Sequence, residues 1–303
     1  MSLFANIFTN NILPAFLVMA CGFILDRKLQ VDKKSLSRVA IYILTPCLVF
    51  SAIVQSTVDP RDFGLMIVFV AVITILMTLL AIIVGRALRW SPRMIDALVL
   101  SVAFLNAGNF GLSIILFAYG EAGLELGTVF FVATNFAGNT LAAFFASRGN
   151  GNTRQALGNV FRLPGIYAFI LALILRIYQV PMPAIIMNPV SLIGRAAVPV
   201  MLMMLGLQLS QTPVSKRYKE IGVGVFLRLV VSAVLAIILA PLMGLAGLAR
   251  QVAIVQSGTP AAVTSALMAI EFDADAEYVT SAIFFSTLFS GVTLTILIYF
   301  VGA

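Results

Sequence analysis

The 303-residue sequence contains no histidine, and only 10% of its residues are charged. Soluble domains carry about 25% charged residues, so this chain is far more apolar than they are. Histidine is the usual general base, metal ligand and pH switch of proteins, and its absence removes these roles. No aspartate or glutamate lies at the centre of an apolar run. A carboxylate proton relay is therefore not expected.

Cysteine is scarce as well, and the two that occur suggest no special chemistry. Cys21 and Cys47 lie inside apolar runs, and their spacing fits no metal or redox motif. We interpret both as packing residues. The net charge of +7 is typical of nucleic-acid binding, but 61% of the chain is hydrophobic, which favours a membrane protein. Membrane proteins concentrate basic residues on one face, and no nucleic-acid partner is expected.

Long hydrophobic runs fill most of the chain. A helix needs about 20 apolar residues to cross the hydrocarbon core of a bilayer. Ten runs meet this need, at residues 4–25, 35–56, 63–87, 97–119, 124–146, 160–179, 187–211, 220–246, 250–271 and 278–302. The sequence therefore predicts an all-α, multi-pass membrane protein with ten transmembrane helices in the lipid bilayer.

The connections between these runs alternate in charge. Fourteen lysine and arginine residues follow the first, third, fifth and seventh runs, whereas three follow the second, fourth, sixth and eighth. The basic connections are expected in the cytoplasm, which puts both termini outside. One connection disagrees, because residues 271–277 are acidic and belong to the predicted cytoplasmic side. Acidic residues weigh little in this rule, so the prediction stands.

The two halves of the chain resemble each other. Pro46 recurs as Pro199 and Asn109 as Thr259, and other pairs keep the same offset of 150 to 154 residues. With five spans per half, the second half enters the membrane from the opposite side, which is the inverted repeat typical of secondary transporters. The predicted boundaries are a first repeat at 1–147, a cytoplasmic linker at 148–157 and a second repeat at 158–303.

Two of the runs contain polar and helix-breaking residues at their centres, where unpaired backbone groups are costly. We interpret them as broken helices that cross and form a substrate site; the alternative is a pair of kinked but inert helices. The predicted substrate-binding residues are Ser51, Asn106, Gly108, Asn109, Gln256, Ser257, Gly258, Thr259 and Pro260.

The chemistry of this site follows from helix ends. Asn109 and Thr259 are predicted to cap the second half-helices, with Pro260 at the first helical position. Two helix N-termini that meet in the membrane would bind an anion, and the carbonyl ends of the first half-helices suit a cation.

Four other polar residues inside spans have two interpretations each. Thr134 and Asn135 are candidate sodium ligands, or they form plain hydrogen bonds between helices. Arg195 and Arg228 are the basic residues that fall well inside spans. Ionisable groups there are functional candidates by default, although a long side chain can also reach an interface.

These stretches resemble the auxin efflux carrier family over nearly the whole chain. The similarity is densest at residues 250–263 and continues at 106–109 and in the second span around Pro46 and Ser51. The resemblance implies ten helices in an inverted five-plus-five repeat with crossed broken helices 4 and 9. It implies a scaffold domain from spans 1, 2, 6 and 7 and a transport domain from spans 3–5 and 8–10. It also implies organic-anion transport and a homodimer.

Two features of the resemblance shape the functional prediction. Bile acid–sodium symporters share the architecture, which leaves sodium coupling open. Plant members carry proline at both crossovers, whereas Phe110 stands at the position that matches Pro260, so the first break must depend on Gly108, Asn109 and Gly111. The long cytoplasmic loop of many plant carriers is missing, so we expect a substrate other than auxin.

The predicted function is secondary transport of a small organic carboxylate across the cytoplasmic membrane of a prokaryote by alternating access. We expect export driven by the membrane potential, with no cofactor unless sodium is coupled. Two alternatives stay open: a sodium-coupled organic-anion symporter and a ligand sensor built on a carrier fold. An enzyme would need a nucleophile–base pair or a metal-ligand set, and a channel would need a filter. The sequence contains neither pattern.

Overall fold

The computed structural model describes residues 3–148, 164–212 and 215–302. Over these residues the chain is helical, and one isolated antiparallel bridge joins Leu105 to Ala261. The predicted linker at 148–157 lies outside the described residues, apart from its first position. The helices in chain order are α1 (Leu3–Leu29), α2 (Lys33–Val54), α3 (Pro60–Ala87), α4 (Pro92–Ala103), α5 (π-helical over Ala107–Gly111 and α-helical over Leu112–Arg148), α6 (Pro164–Ile177), α7 (Ala184–Leu209), α8 (Tyr218–Leu242), α9 (Gly247–Ser257), α10 (Thr264–Glu271) and α11 (Ala276–Val301).

Seven of these helical stretches, α1, α2, α3, α5, α7, α8 and α11, are long and apolar enough to cross a membrane. The shorter α6 is also apolar, and α4, α9 and α10 adjoin the two predicted breaks. The all-helical fold is confirmed, and the seven stretches indicate a multi-pass membrane protein. The tally of ten spans and the inverted repeat stay predictions.

The long helix α5 changes direction at Gly120. This residue has φ 65° and ψ −159°, a conformation that glycine adopts without the steric penalty of a side chain. The sequence predicts the boundary between spans 4 and 5 near this residue, and the structure bends the helix there.

Prolines inside α1 and α2 are accommodated by wider helical turns. The π-helical turns Phe8–Ile12 and Ala40–Leu44 come directly before Leu13-Pro14 and Thr45-Pro46. A proline ring collides with the carbonyl four residues earlier and donates no hydrogen bond, and a π turn is one way to absorb this local disruption. Both helices therefore continue past their prolines.

The helices pack in two groups. α1 packs on the second half of α7, and α2 packs on α6 and on the first half of α7. α3 packs on α4 and α5, while α8 packs on α9 and α11. Gly22 and Gly206 lie where α1 meets α7, and each faces a main-chain carbonyl of the other helix, so no side chain fits at either position. The first group is therefore held by close backbone contact.

The acidic connection between α10 and α11 pairs with basic residues at the start of α4 and directly before α8. Arg93 Nη2 lies 3.1 Å from Asp273 Oδ1, and Arg217 Nη2 lies 2.6 Å from Asp275 Oδ2. These contacts place the connections before α4, α8 and α11 at one end of the molecule. That arrangement agrees with the predicted alternation, and it explains why an acidic connection can share a face with basic ones.

Candidate functional site

The chain crosses itself where α4 and α9 end. α4 stops at Ala103, and Phe104 and Leu105 are extended. The Asn106 N–H donates to the Pro260 carbonyl at 2.8 Å, and the Ala262 N–H donates to the Phe104 carbonyl at 2.9 Å. Each interrupted segment therefore satisfies part of the other's backbone, which makes the interruption tolerable inside a membrane.

The predicted helix caps are wrong. Asn109 lies inside the π-helical start of α5, and the residue before that start, Asn106, makes no side-chain cap. α10 begins at Thr264, so Thr259 lies five residues before it, and its hydroxyl donates back to the Gln256 carbonyl at 2.6 Å. Pro260 lies in the extended crossing segment and not at a helix start. The pairing between the segments is the reason: after the paired residues the first helix resumes at Ala107, earlier than the cap predicted, and the second resumes at Thr264, later than the cap predicted.

A cavity of about 380 Å³ lies against this crossing, between the two helix groups. α2 and α7 form one wall, and the crossing segments with α5 and α10 form the other. Among the described residues, those lining the cavity carry no charged side chain, and its polar lining residues are Ser37, Thr45, Thr74, Asn106, Asn109, Thr134, Asn135, Gln208 and Thr264. The cavity suits a small molecule that is held by neutral donors and acceptors.

The structure brings some predicted site residues to the cavity and leaves others behind its wall. Residues of the first crossing, Asn106, Gly108 and Asn109, line the cavity, as do Thr134 and Asn135. The Thr134 hydroxyl donates to the Phe130 carbonyl at 2.8 Å, as expected for a hydroxyl inside a helix. The predicted residues outside the lining are Ser51, Gln256, Ser257, Gly258, Thr259 and Pro260.

Of the predicted residues outside the lining, Gln256 links the two segments, and the two serines bond within their own helices. Gln256 is fully buried and its Nε2 donates to the Ala107 carbonyl at 3.4 Å, which links the two breaks. The Ser257 hydroxyl donates to the Ala253 carbonyl at 2.7 Å, and the Ser51 hydroxyl donates to the Cys47 carbonyl at 2.8 Å. In this conformation their contacts are structural.

The helix ends around the crossing are sorted by polarity. The N-terminal ends of α5, at Ala107, and of α10, at Thr264, both reach the cavity. The first N–H groups of a helix have no partner within it, and together they carry roughly half a positive charge. Asn106 adds a side-chain donor, because it is 5% exposed and its Nδ2 has no partner among the described residues. The cavity thus meets the positive ends of two helices, although the N–H groups of Ser265 and Ala266 already donate to the Ala262 and Val263 carbonyls.

The C-terminal ends of α4 and α9 face a buried arginine instead. Arg228 in α8 is 1% exposed, and its Nη1 donates to the Val102 carbonyl at 2.6 Å. Its Nη2 donates to the Ser232 hydroxyl at 2.6 Å and to the Ser257 carbonyl. The interpretation in which the Arg228 side chain reaches an interface is therefore wrong. Arg195, in contrast, is exposed at the end of the first part of α7.

Sequence reasoning singled out Arg228 but missed its partners. A serine four residues later, Ser232, is on the same helical face and was the available local signal. The cavity residues Thr45 and Thr264 were also missed, because each depends on which helices face each other.

The comparisons with known proteins cover nearly the whole chain. A model of the membrane transport protein family matches residues 7–298. An uncharacterized transporter of Methanothermobacter thermautotrophicus is 25% identical over 291 residues, which cover 94% of this chain and 96% of that protein. An uncharacterized transporter of Methanocaldococcus jannaschii is 27% identical over 276 residues, which cover 85% of this chain and 86% of that protein. The family match includes both crossing segments and Arg228.

Proposed function

The chain belongs to the membrane transport protein family, that of the auxin efflux carriers, and on this premise we propose that it is a secondary transporter of a small organic carboxylate. It works by alternating access in the cytoplasmic membrane of a prokaryote. The two transporters that resemble it are uncharacterized, so the substrate class is argued from the cavity.

The observation that carries the substrate class is the pair of helix N-termini at one neutral cavity. The starts of α5 and α10 both reach it, and Asn106 contributes a buried donor that the described residues leave unpaired. Helix N-termini favour anions, and a carboxylate accepts several N–H donors at once. A cation would meet the positive ends of two helices there, so an organic anion is the better ligand.

The architecture that we propose is ten spans in an inverted five-plus-five repeat. Span 4 (α4 and the start of α5) and span 9 (α9 and α10) are broken. Spans 1, 2, 6 and 7 form the scaffold, and spans 3–5 and 8–10 move against it. The cavity supports this division, because one wall comes from α2 and α7 and the other from α5 and α10. A site between two packed groups can face either side when one group shifts.

The positions of three lining residues bear on direction. Ser37, Pro164 and Gln208 line the cavity, and each is next to a connection that is predicted to be cytoplasmic. We therefore interpret this conformation as inward-open, with both termini outside. An inside-negative potential acts on a moving charge by about 2.3 kcal/mol per 100 mV. A carboxylate that crosses without a neutralising ion is then exported.

We also expect a homodimer, as the family implies.

The test is transport by the purified chain in proteoliposomes with a panel of small carboxylates. Thermal stabilisation identifies the best ligand, because a ligand that binds only the folded state raises its stability. Its transport should saturate and should carry current on a supported membrane. Asn106→Ala should weaken apparent affinity by roughly ten- to a hundredfold, the equivalent of about 1.5–3 kcal/mol for a hydrogen bond to a charged group.

The matched control is Asn188→Ala, which removes an exposed asparagine of α7 outside the cavity and should leave affinity unchanged. Since Asn106 Nδ2 has no partner in the described part of the chain, its loss leaves no acceptor there unpaired. Equal affinities of the two variants would contradict the site. Binding of a carboxylate without any flux would identify a sensor instead of a carrier.

A further inference from the structure

The buried side chain of Arg228 is held by carbonyl and hydroxyl oxygens. Its Nη1 donates to the Val102 carbonyl, and its Nη2 donates to the Ser257 carbonyl and to the Ser232 hydroxyl, which itself donates to the Ser257 carbonyl at 2.8 Å. Its Nε has no partner among the described residues. In the described part of the chain no ion pair includes this arginine. A buried charge without compensation is strongly unfavourable, so the carbonyls must supply the negative potential.

These two carbonyls have lost their ordinary helical partners. In an unbroken helix the Val102 carbonyl would accept from the N–H of Asn106, but that N–H donates to Pro260. The Ser257 carbonyl would accept from the N–H of Ala261, but that N–H donates to the Ser286 hydroxyl at 3.1 Å. Each break therefore leaves one carbonyl without its helical donor, and the Arg228 guanidinium donates to both carbonyls.

The charges balance as well. The C-terminal end of a helix carries roughly half a negative charge, so the ends of α4 and α9 together carry about one. A guanidinium supplies one positive charge and several donors in a rigid fork, which lets it serve two acceptors from different helices. The arginine thus neutralises the end of the crossing that faces away from the cavity.

We propose that Arg228 is a resident cation of the crossing, which occupies the place where a coupling ion would otherwise bind and makes the carrier independent of sodium. The proposal rests on the proposed function, because sodium coupling has a meaning only if the protein is a carrier. The carbonyl ends of the first half-helices were the predicted cation site, and Arg228 fills it. The other candidate sodium ligands, Thr134 and Asn135, line the cavity beside the positive helix ends, where a cation is disfavoured.

The test compares thermal unfolding of the purified full chain in choline chloride and in sodium chloride at equal ionic strength. The wild type should unfold at the same temperature in both salts. Arg228→Met, which keeps much of the volume without the charge, should unfold at a lower temperature in both. Arg228→Ala leaves space beside the same carbonyls, and saturating sodium should raise its unfolding temperature by roughly 2–5 °C over choline.

Two further variants keep the outcome decisive. Arg195→Ala removes an exposed arginine from another span, and its unfolding temperature should be the same in sodium chloride and in choline chloride. Arg228→Lys keeps the charge on a single ammonium, so it should fold. Its unfolding temperature should lie between those of the wild type and Arg228→Met and should be the same in sodium and in choline. If Arg228→Ala yields no folded protein, the wild type and Arg228→Lys decide the question.

Stabilisation of the wild type by sodium would overturn the proposal. So would wild-type stability of Arg228→Met, a sodium response in Arg228→Lys, or a folded Arg228→Ala that does not respond to sodium. None of these measurements needs a substrate. Failure of carboxylate transport would therefore overturn the proposed function separately. A sodium requirement for transport would overturn only the proposal that Arg228 takes the place of a coupling ion.

Discussion

The two crossing segments look alike in sequence and differ in what they face. Asn106, Gly108 and Asn109 of the first segment line the cavity. The corresponding residues of the second segment, Gln256, Gly258 and Thr259, are buried behind it, and Gln256 and Thr259 are fully inaccessible. The second segment reaches the cavity only at its end, next to α10. One break therefore faces the cavity, and the other supports the crossing from behind it.

The residues that make each break fit this division. The first break has no proline, and its small residues allow close contact: a side chain at Gly108 would lie 2.5 Å from the ring of Phe131. The second break has Pro260, whose missing N–H needs no partner, while its neighbours bind the first segment and Ser286. Both breaks contain glycine, and only the break behind the cavity contains proline.

The largest expected effect comes from adding a methyl group to the first break. A Cβ at Gly111 would collide with Gln256 Oε1 and lie 3.2 Å from the Asn106 carbonyl, and it would disturb the amide that links the two segments. Gly111→Ala should lower the free energy of unfolding by about 1–3 kcal/mol, the usual cost of overpacking, and should reduce transport strongly. Thermal unfolding and proteoliposome uptake measure the two effects.

Two glycines provide controls for that change. At Gly258, in the second break, a Cβ would meet the Leu297 Cδ2 atom at 2.6 Å, and a leucine side chain can rotate away. Gly258→Ala should therefore cost less than Gly111→Ala. No described atom lies within 4 Å of a Cβ at Gly222, so Gly222→Ala should cost nothing measurable. An equal loss at both breaks would remove the proposed difference between them.

The long apolar helices and the positions of the breaks could be predicted from the sequence because both depend on local chemistry. Apolar length decides whether a helix can cross a bilayer, and polar residues clustered with glycine or proline at mid-span favour an interrupted helix. The caps could not be predicted, because the helices near Asn109 and Thr259 restart where neighbouring residues, Phe104, Asn106, Pro260 and Ala262, pair their backbones across the two halves of the chain. Local propensity is a weak guide where a long-range contact supplies the hydrogen bonds.

The second prediction separates binding from stability by one substitution in each segment. Asn109 lines the cavity and lies past the start of its helix, so Asn109→Leu should weaken carboxylate affinity about tenfold with little change in unfolding. Thr259→Val removes the hydroxyl bond to the Gln256 carbonyl, which should cost about 1 kcal/mol of stability and leave affinity unchanged. Calorimetric titration and thermal unfolding of both variants give the four values needed.

The opposite pattern would reverse the assignment of the two segments. Weaker binding in Thr259→Val, with wild-type affinity in Asn109→Leu, would make the second break the substrate-facing one. Loss of affinity in both would indicate that another conformation exposes Thr259 to the substrate.

The partners of Arg228 could not be predicted from the sequence either. Its position inside a span indicated a functional or structural charge, and its helical neighbour Ser232 was visible. Its other partners are carbonyls of α4 and α9, and carbonyls carry no sequence signal. The same holds for Gln256, whose amide reaches Ala107 only after the two segments cross.

The smallest expected effect belongs to the residue that looks most decisive in the sequence. Pro260→Ala adds one N–H group, and the Gln256 carbonyl four residues earlier is the acceptor that a helical N–H would use. The extended conformation does not depend on the ring alone, because the Pro260 carbonyl, the Ala261 N–H and the Ala262 N–H are all bound to other segments. The main loss should then be the restriction that proline places on the unfolded chain, about 0.4–1 kcal/mol. We expect normal expression, a small fall in unfolding temperature, and transport that is reduced less than in Asn109→Leu. Complete loss of transport with normal folding would mean that proline itself keeps the second helix broken, and the two breaks would then be equally necessary for transport.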